Sequence, residues 1–197
     1  MGHDLTIEPL GETIRVDDGQ TILDACLRHG IWLPHACGHG LCGTCKVDVV
    51  EGEVDHADAS GFALMDFERA DGKTLACTAR LLDDVTIEAE IDEDPDQRRI
   101  AVKDFAATVT AIDDLTHDVK GLRLTIDGGE IDFQAGQYVN LTIPTVEGTR
   151  AFSIANPPQE ATRVDLQIRR VPNGRGTGWL HRSEEHTSEL QSRVDIS

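Results

Sequence analysis

Three of the five cysteines in this 197-residue chain stand at Cys37, Cys42 and Cys45, and Cys77 follows 32 residues after the last of them. The stretch between the first three reads Cys37-Gly38-His39-Gly40-Leu41-Cys42-Gly43-Thr44-Cys45. Thiols so close along the chain converge only if the backbone between them curls. Gly38, Gly40 and Gly43 permit the positive φ such a curl needs, and they let backbone N–H groups approach sulfur. Five cysteines in 197 residues, three of them within nine positions, are too few and too clustered for a secreted disulfide scaffold, and in a reducing compartment that crowding points to a metal centre.

The C-x4-C-x2-C run with one distant partner is the ligand spacing of a plant-type [2Fe–2S] cluster, with Cys37, Cys42, Cys45 and Cys77 as its ligands. Loop N–H donors would stabilise a negatively charged cluster and help set its potential. Zinc is the alternative. Its sites pair two separate C-x2–4-C knuckles, which would make the chain a zinc-stabilised interaction module. Cys26 falls on the apolar face of a predicted helix and is read as a small core residue. His39 is read as a solvent-facing loop residue, with tuning of the cluster as its other possible role.

Around this loop the two-residue alternation of Asp4–Leu10 and Glu12–Val16 predicts a hairpin. Thr21 is the expected N-cap of a helix that begins at Ile22 and closes at Gly30. Strands are expected over Lys46–Val54, Thr74–Ala79 and Asp84–Ile91, with a helical turn over Ala63–Glu68. Asp92–Arg99 is polar, charged and contains Pro95, the composition of a linker. Beyond it come longer alternating stretches at Lys103–Ile112, Lys120–Ile126, Gln137–Ile143, Arg150–Ile154 and Val164–Val171, a pattern of antiparallel barrels and sandwiches.

The formal net charge is −18, of which residues 1–100 hold 22 acids against 8 bases and residues 101–181 hold 10 against 8. Such a balance repels phosphates and excludes nucleic acid as the expected partner, while suiting a basic protein surface. The N-terminus has no basic region followed by an apolar core, and no apolar run approaches the roughly 20 residues that span a bilayer. The expectation is a cytoplasmic protein without a membrane partner.

Residues 1–95 resemble a plant-type ferredoxin domain, which implies a β-grasp fold. The words Trp32-Leu33-Pro34-His35-Ala36-Cys37-Gly38-His39-Gly40 and Asp58-Ala59-Ser60-Gly61-Phe62-Ala63-Leu64-Met65 resemble the reductase components of bacterial multicomponent phenol hydroxylases. Gly136-Gln137-Tyr138-Val139 and Arg150-Ala151-Phe152-Ser153-Ile154-Ala155-Asn156 resemble the flavin site of the ferredoxin-reductase family. That resemblance implies that Arg150 pairs with the FAD pyrophosphate, that Phe152 stacks on the flavin in place of the commoner tyrosine, and that Ser153 approaches the reactive nitrogen. It assigns a pyrophosphate-binding turn to Gly174, Gly176 and Thr177, at a helix start; a glycine-rich hairpin turn is the competing reading.

The implied fold class is α+β: a β-grasp ferredoxin domain over 1–95, a linker over 96–101, and an incomplete antiparallel β-barrel FAD-binding domain over 102–181. The implied function is electron transfer from NAD(P)H through FAD and a [2Fe–2S] cluster to the oxygenase component of an aromatic, phenol-type monooxygenase. The resemblance leaves open the reductases of aromatic dioxygenases or methane monooxygenase, and a stand-alone electron carrier. It also implies a nicotinamide-binding domain beyond His181. Instead, Arg182–Ser192 resembles the in-frame translation of a sequencing-library adapter. The expectation is a truncated chain with a non-native tail over 182–197, not competent alone for NADH oxidation.

Overall fold

The computed structural model describes residues 2–91, 100–143, 146, 149–182 and the backbone of 191–196, and the chain divides into two compact units at Ala101 and Val102. The expected linker Asp92–Arg99 lies outside the described residues.

In the first unit β1 (His3–Glu8) and β2 (Glu12–Val16) form the antiparallel hairpin that their alternation predicts. Leu5, Ile7, Ile14 and Val16 face the core. β3 (Lys46–Glu51), β5 (Lys73–Leu75) and β7 (Val85–Glu88) complete a mixed sheet in the order β2-β1-β7-β3-β5, with β7 parallel to β1. Two short strands, β4 (Val54–Asp55) and β6 (Arg80–Leu81), pair beside it. The helix α1 (Ile22–Arg28) buries Ile22, Leu23, Ala25, Cys26 and Leu27. Thr21 caps it, its hydroxyl accepting the Asp24 N–H at 3.2 Å. At the other end the Gly30 and Ile31 N–H groups return to the Leu27 and Cys26 carbonyls, with Gly30 at φ +75°. This is the bond pattern of a Schellman stop.

The expected strand Thr74–Ala79 ends at Leu75, because the N–H groups of Thr78 and Ala79 both turn back to the Leu75 carbonyl. The expected helical turn lies slightly later in the chain, as α2 (Asp66–Ala70), where the Glu68 carboxylate accepts the Met65 N–H at 2.9 Å.

The second unit is a six-stranded antiparallel sheet in the order β11-β10-β13-β8-β9-β12. Its strands are β8 (Asp104–Asp114), β9 (Val119–Ile126), β10 (Tyr138–Thr142), β11 (Thr149–Ser153), β12 (Arg163–Arg169) and β13 (Gln191–Ile196), with the helix α3 (Arg175–Arg182) before the last. The sheet curls over a core that includes Leu124, Ile131, Phe133, Leu141, Ile143 and Leu166, and Leu180 of α3 packs into it. A lone bridge between Ile154 and Leu166 joins the outer strands, so the barrel is partial and lacks a continuous closing ladder.

Of residues 182–197, expected to be a non-native tail, the structure describes Arg182 and the backbone of 191–196. Arg182 closes α3, and Gln191–Ile196 is a strand inserted between β8 and β10. Arg193-Val194-Asp195-Ile196 alternates polar and apolar residues, and a strand at this place pairs backbone groups of both neighbours. Among the described residues, no helix is long and apolar enough to cross a membrane.

Deleting Gln191–Ser197 leaves the facing edges of β8 and β10 unpaired. Differential scanning calorimetry is expected to show the second unit's transition lowered or replaced by aggregation, with the first unit's unchanged. An unchanged second transition would show β13 to be dispensable.

Candidate functional site

The four cysteines come from two segments: the loop between α1 and β3, and the turn after β5. The curl is built as the glycines suggest, with Gly38, Gly40 and Gly43 at φ +69°, +70° and +77°. The turn carrying Cys77 is fastened at both faces. The Ala76 N–H donates to the Cys45 carbonyl at 2.9 Å, while the first N–H groups of α1, on Ile22 and Leu23, donate to the Ala79 and Ala76 carbonyls at 3.0 and 2.8 Å. Helix-start N–H groups without intrahelical partners thereby hold the fourth cysteine in place.

Backbone N–H groups are aimed at two of the sulfurs, and a third sulfur meets a hydroxyl. The Gly40 N–H donates to Cys77 Sγ at 3.3 Å and the His39 N–H to Cys37 Sγ at 3.4 Å, while Cys42 Sγ lies 3.3 Å from the Thr44 hydroxyl. The thiols are grouped as an outer pair, Cys37 and exposed Cys42, and a buried inner pair, Cys45 and Cys77. The Thr44 hydroxyl and N–H, with Cys37 alongside, lower the Cys42 thiol to about 6. The Cys77 thiol donates to Cys45, lowering Cys45 to about 7, and its own titration is pushed up by holding that bond.

This arrangement fits a two-iron cluster, in which each metal takes two thiolates. Cys26 lies fully inside the core, where burial pushes its thiol up to about 12, and it takes no part in the centre. His39 is exposed, as expected of a solvent-facing loop residue.

A second wall supports the loop. The Ser60 N–H donates to the Gly40 carbonyl at 3.0 Å, and Ala63 packs against Gly43. Arg69 holds this wall from behind, donating from Nη2 to the Ala59 carbonyl at 3.0 Å and from Nε to the Leu64 carbonyl at 3.5 Å. Sequence reasoning missed Arg69. No local pattern marks it, because its partners lie ten and five residues earlier.

In the second unit Arg150 and Phe152 share one face of β11, with Ser153 exposed on the other. Phe152 is half-buried against the core. Arg150 and Gly176 come together: a Cβ on Gly176 would meet Arg150 Cγ at 3.3 Å and Ile143 Cδ1 at 3.1 Å. Gly174 lies under Thr177, whose hydroxyl accepts the Val171 N–H at 3.1 Å and so closes the turn into α3. Gly174, Gly176 and Thr177 therefore open a helix rather than a hairpin, since the Gly178 N–H returns to the Gly174 carbonyl at 2.9 Å. Asn156 was given no role by the sequence reading, yet it is buried and organises the loop after β11. It accepts the Asp165 N–H at 2.8 Å and donates to the Arg163 carbonyl at 3.1 Å.

Comparison with known proteins matches the two units to two family models: a 2Fe-2S iron-sulfur cluster binding domain over residues 5–82 and an oxidoreductase FAD-binding domain over residues 106–193. The chain is 55% identical over 182 residues to the reductase component of phenol 2-monooxygenase from Pseudomonas sp. strain CF600, a match covering 92% of this chain and 51% of that protein. It is 55% identical over 181 residues to the phenol hydroxylase P5 protein of Acinetobacter pittii, with the same coverage of 92% and 51%. Among solved structures, the Amycolatopsis cytochrome P450 reductase GcoB superposes with a TM-score of 0.84 at 36% identity, over 98% of this chain and 56% of that one. The chain spans about half the length of the curated relatives it matches.

A Cβ on Gly40 would lie 2.8 Å from Thr78 Cγ2 and 3.3 Å from Ala59 Cα, whereas one on Gly38 meets nothing within 4 Å. Gly38→Ala should cost only the left-handed strain of about 1–2 kcal/mol, whereas Gly40→Ala adds a clash and should sharply reduce metal loading. Iron and sulfide analysis of both variants checks this, and equal loading would contradict it.

Proposed function

We propose that this chain, which belongs to the family of reductase components that join a 2Fe-2S domain to an FAD-binding domain, serves in electron transfer from NAD(P)H to the oxygenase component of a phenol-type aromatic monooxygenase. The observation that carries the reading is the convergence of Cys37, Cys42, Cys45 and Cys77 as two thiol pairs under backbone donors. When bound, FAD would convert a two-electron hydride donation into single-electron deliveries, and the [2Fe–2S] cluster would relay them.

The chain's own residues supply ligation, placement and charge. The inner pair, Cys45 and Cys77, fastens the centre to β3 and to the turn beneath α1, while Cys37 and Cys42 leave its outer edge toward solvent. On the flavin side Arg150 would offer its guanidinium to the pyrophosphate and Phe152 its ring face to the flavin, whereas Ser153, on the opposite face of β11, is not brought to the same side. Gly174 and Gly176 keep the start of α3 open, and Thr177 shapes that start through its bond to the Val171 N–H. The acidic first unit favours a basic oxygenase surface, with association slowing as salt rises. The working compartment is the cytoplasm, where the thiols stay reduced until they are metallated.

Anaerobic reconstitution with iron and sulfide is expected to give about two irons per chain, visible absorption and an EPR signal on reduction, with Cys77→Ser losing all three. A colourless, EPR-silent protein holding one zinc per chain overturns the reading. Arg150→Ala should weaken FAD binding about tenfold to a hundredfold, the worth of a hydrogen bond to a charged group. Fluorescence titration measures it, and an unchanged affinity removes Arg150 from the flavin site.

A further inference from the structure

The chain has five phenylalanines. The two in the first unit, Phe62 and Phe67, are both on its surface, 94% and 63% exposed, within six residues of each other. Leu41 and Met65 are likewise exposed, at 66% and 47%. These side chains are not scattered. Leu41 and Cys42 lie between Gly40 and Gly43, and Phe62 lies between Ser60 and Ala63, which touch those same two glycines. Met65 and Phe67 follow at the start of α2. An apolar strip therefore runs beside the exposed edge of the cysteine loop.

The strip is held firmly. Arg69 ties down the carbonyls at Ala59 and Leu64, and Glu68 joins the Met65 N–H to Lys46, the residue after Cys45, through an Nζ–Oε1 contact of 2.5 Å. The Lys46 ammonium is thereby paired with Glu68, while Asp58 and Asp66 remain exposed around the strip. Large apolar groups clustered on a monomer's surface and rimmed by polar ones mark a protein contact. The surrounding charge selects the partner. With 22 acids against 8 bases in residues 1–100, a second copy of this unit or an anionic membrane is repelled, and a surface that is apolar at its centre and basic at its rim is favoured.

We infer that Leu41, Phe62, Met65 and Phe67, rimmed by Asp58 and Asp66, form the docking surface for the electron-accepting protein, which meets them with an apolar patch bordered by lysine and arginine. The inference rests on the electron-transfer reading above and adds the contact through which one electron leaves the reduced centre for the acceptor. Phe62 is the central anchor, and the two aspartates set the encounter rate.

The test uses the reconstituted full chain, photoreduced and mixed anaerobically with the oxygenase component that serves the Pseudomonas relative, following reoxidation by stopped flow. Phe62→Ser is expected to raise the half-saturating oxygenase concentration about tenfold or more, the scale of a hot-spot truncation. Its limiting rate should stay within about twofold and its visible spectrum should be unchanged. Asp58→Asn with Asp66→Asn should flatten the salt dependence of the second-order rate. Half-saturation of Phe62→Ser and Phe67→Ser within about twofold of the parent overturns the docking surface and leaves the electron-transfer reading intact. A parent chain that carries its cluster yet passes no electron to the oxygenase overturns both. A parent dimer by analytical ultracentrifugation that Phe62→Ser dissociates overturns the inference in favour of self-association.

Discussion

The bonds from the first turn of α1 to the turn bearing Cys77 hold the first unit together around its centre. A helix start leaves N–H groups that no residue of the helix can satisfy. Here two of them, on Ile22 and Leu23, are spent on the carbonyls of Ala79 and Ala76, two residues and one residue away from Cys77. The same turn answers the Cys45 carbonyl through Ala76. The helix is in turn seated by Thr21 at one end and by Gly30 at the other, with its apolar face in the core. The position of the Cys77 sulfur thus depends on the packing of an element that holds none of the four grouped cysteines.

Much of this centre was legible in sequence, because the chemistry of the cysteine loop is local. Spacing picks out the four cysteines that the fold groups together, and the three glycines announce positive φ before any coordinates are seen. The supports were hidden for the opposite reason. Arg69 and Glu68 act on residues brought near by the fold, and Thr44 matters only once its hydroxyl lies against Cys42. The stretch Thr74–Ala79 looks like a strand because Thr74-Leu75-Ala76 has strand composition. It turns after Leu75 because the Thr78 and Ala79 N–H groups both close on the Leu75 carbonyl, a local bond pattern that composition does not reveal.

In the second unit alternation marked every strand from β8 to β12, since each buries one face against a common core. It could not show which strands would become neighbours. The insertion of Gln191–Ile196 between β8 and β10 is a matter of long-range pairing, and a segment read as foreign in character still alternates well enough to take the place. Asn156 was equally silent. It sits before Pro157-Pro158 as an ordinary turn residue, and its importance comes from backbone groups at Arg163 and Asp165 that arrive with β12.

The cysteine centre has a further property. The four thiols, the donors described around them and the helix start that secures them all fall between Thr21 and Arg80. A centre enclosed within one stretch of chain can be carried by a single uninterrupted length of gene. Joined to a different neighbour, it would keep its own assembly instructions, and only its surface would need to adapt. Recombination acts easily on such a unit: the interior is inherited whole, while the exposed strip of apolar and acidic residues is left for each new association to rewrite.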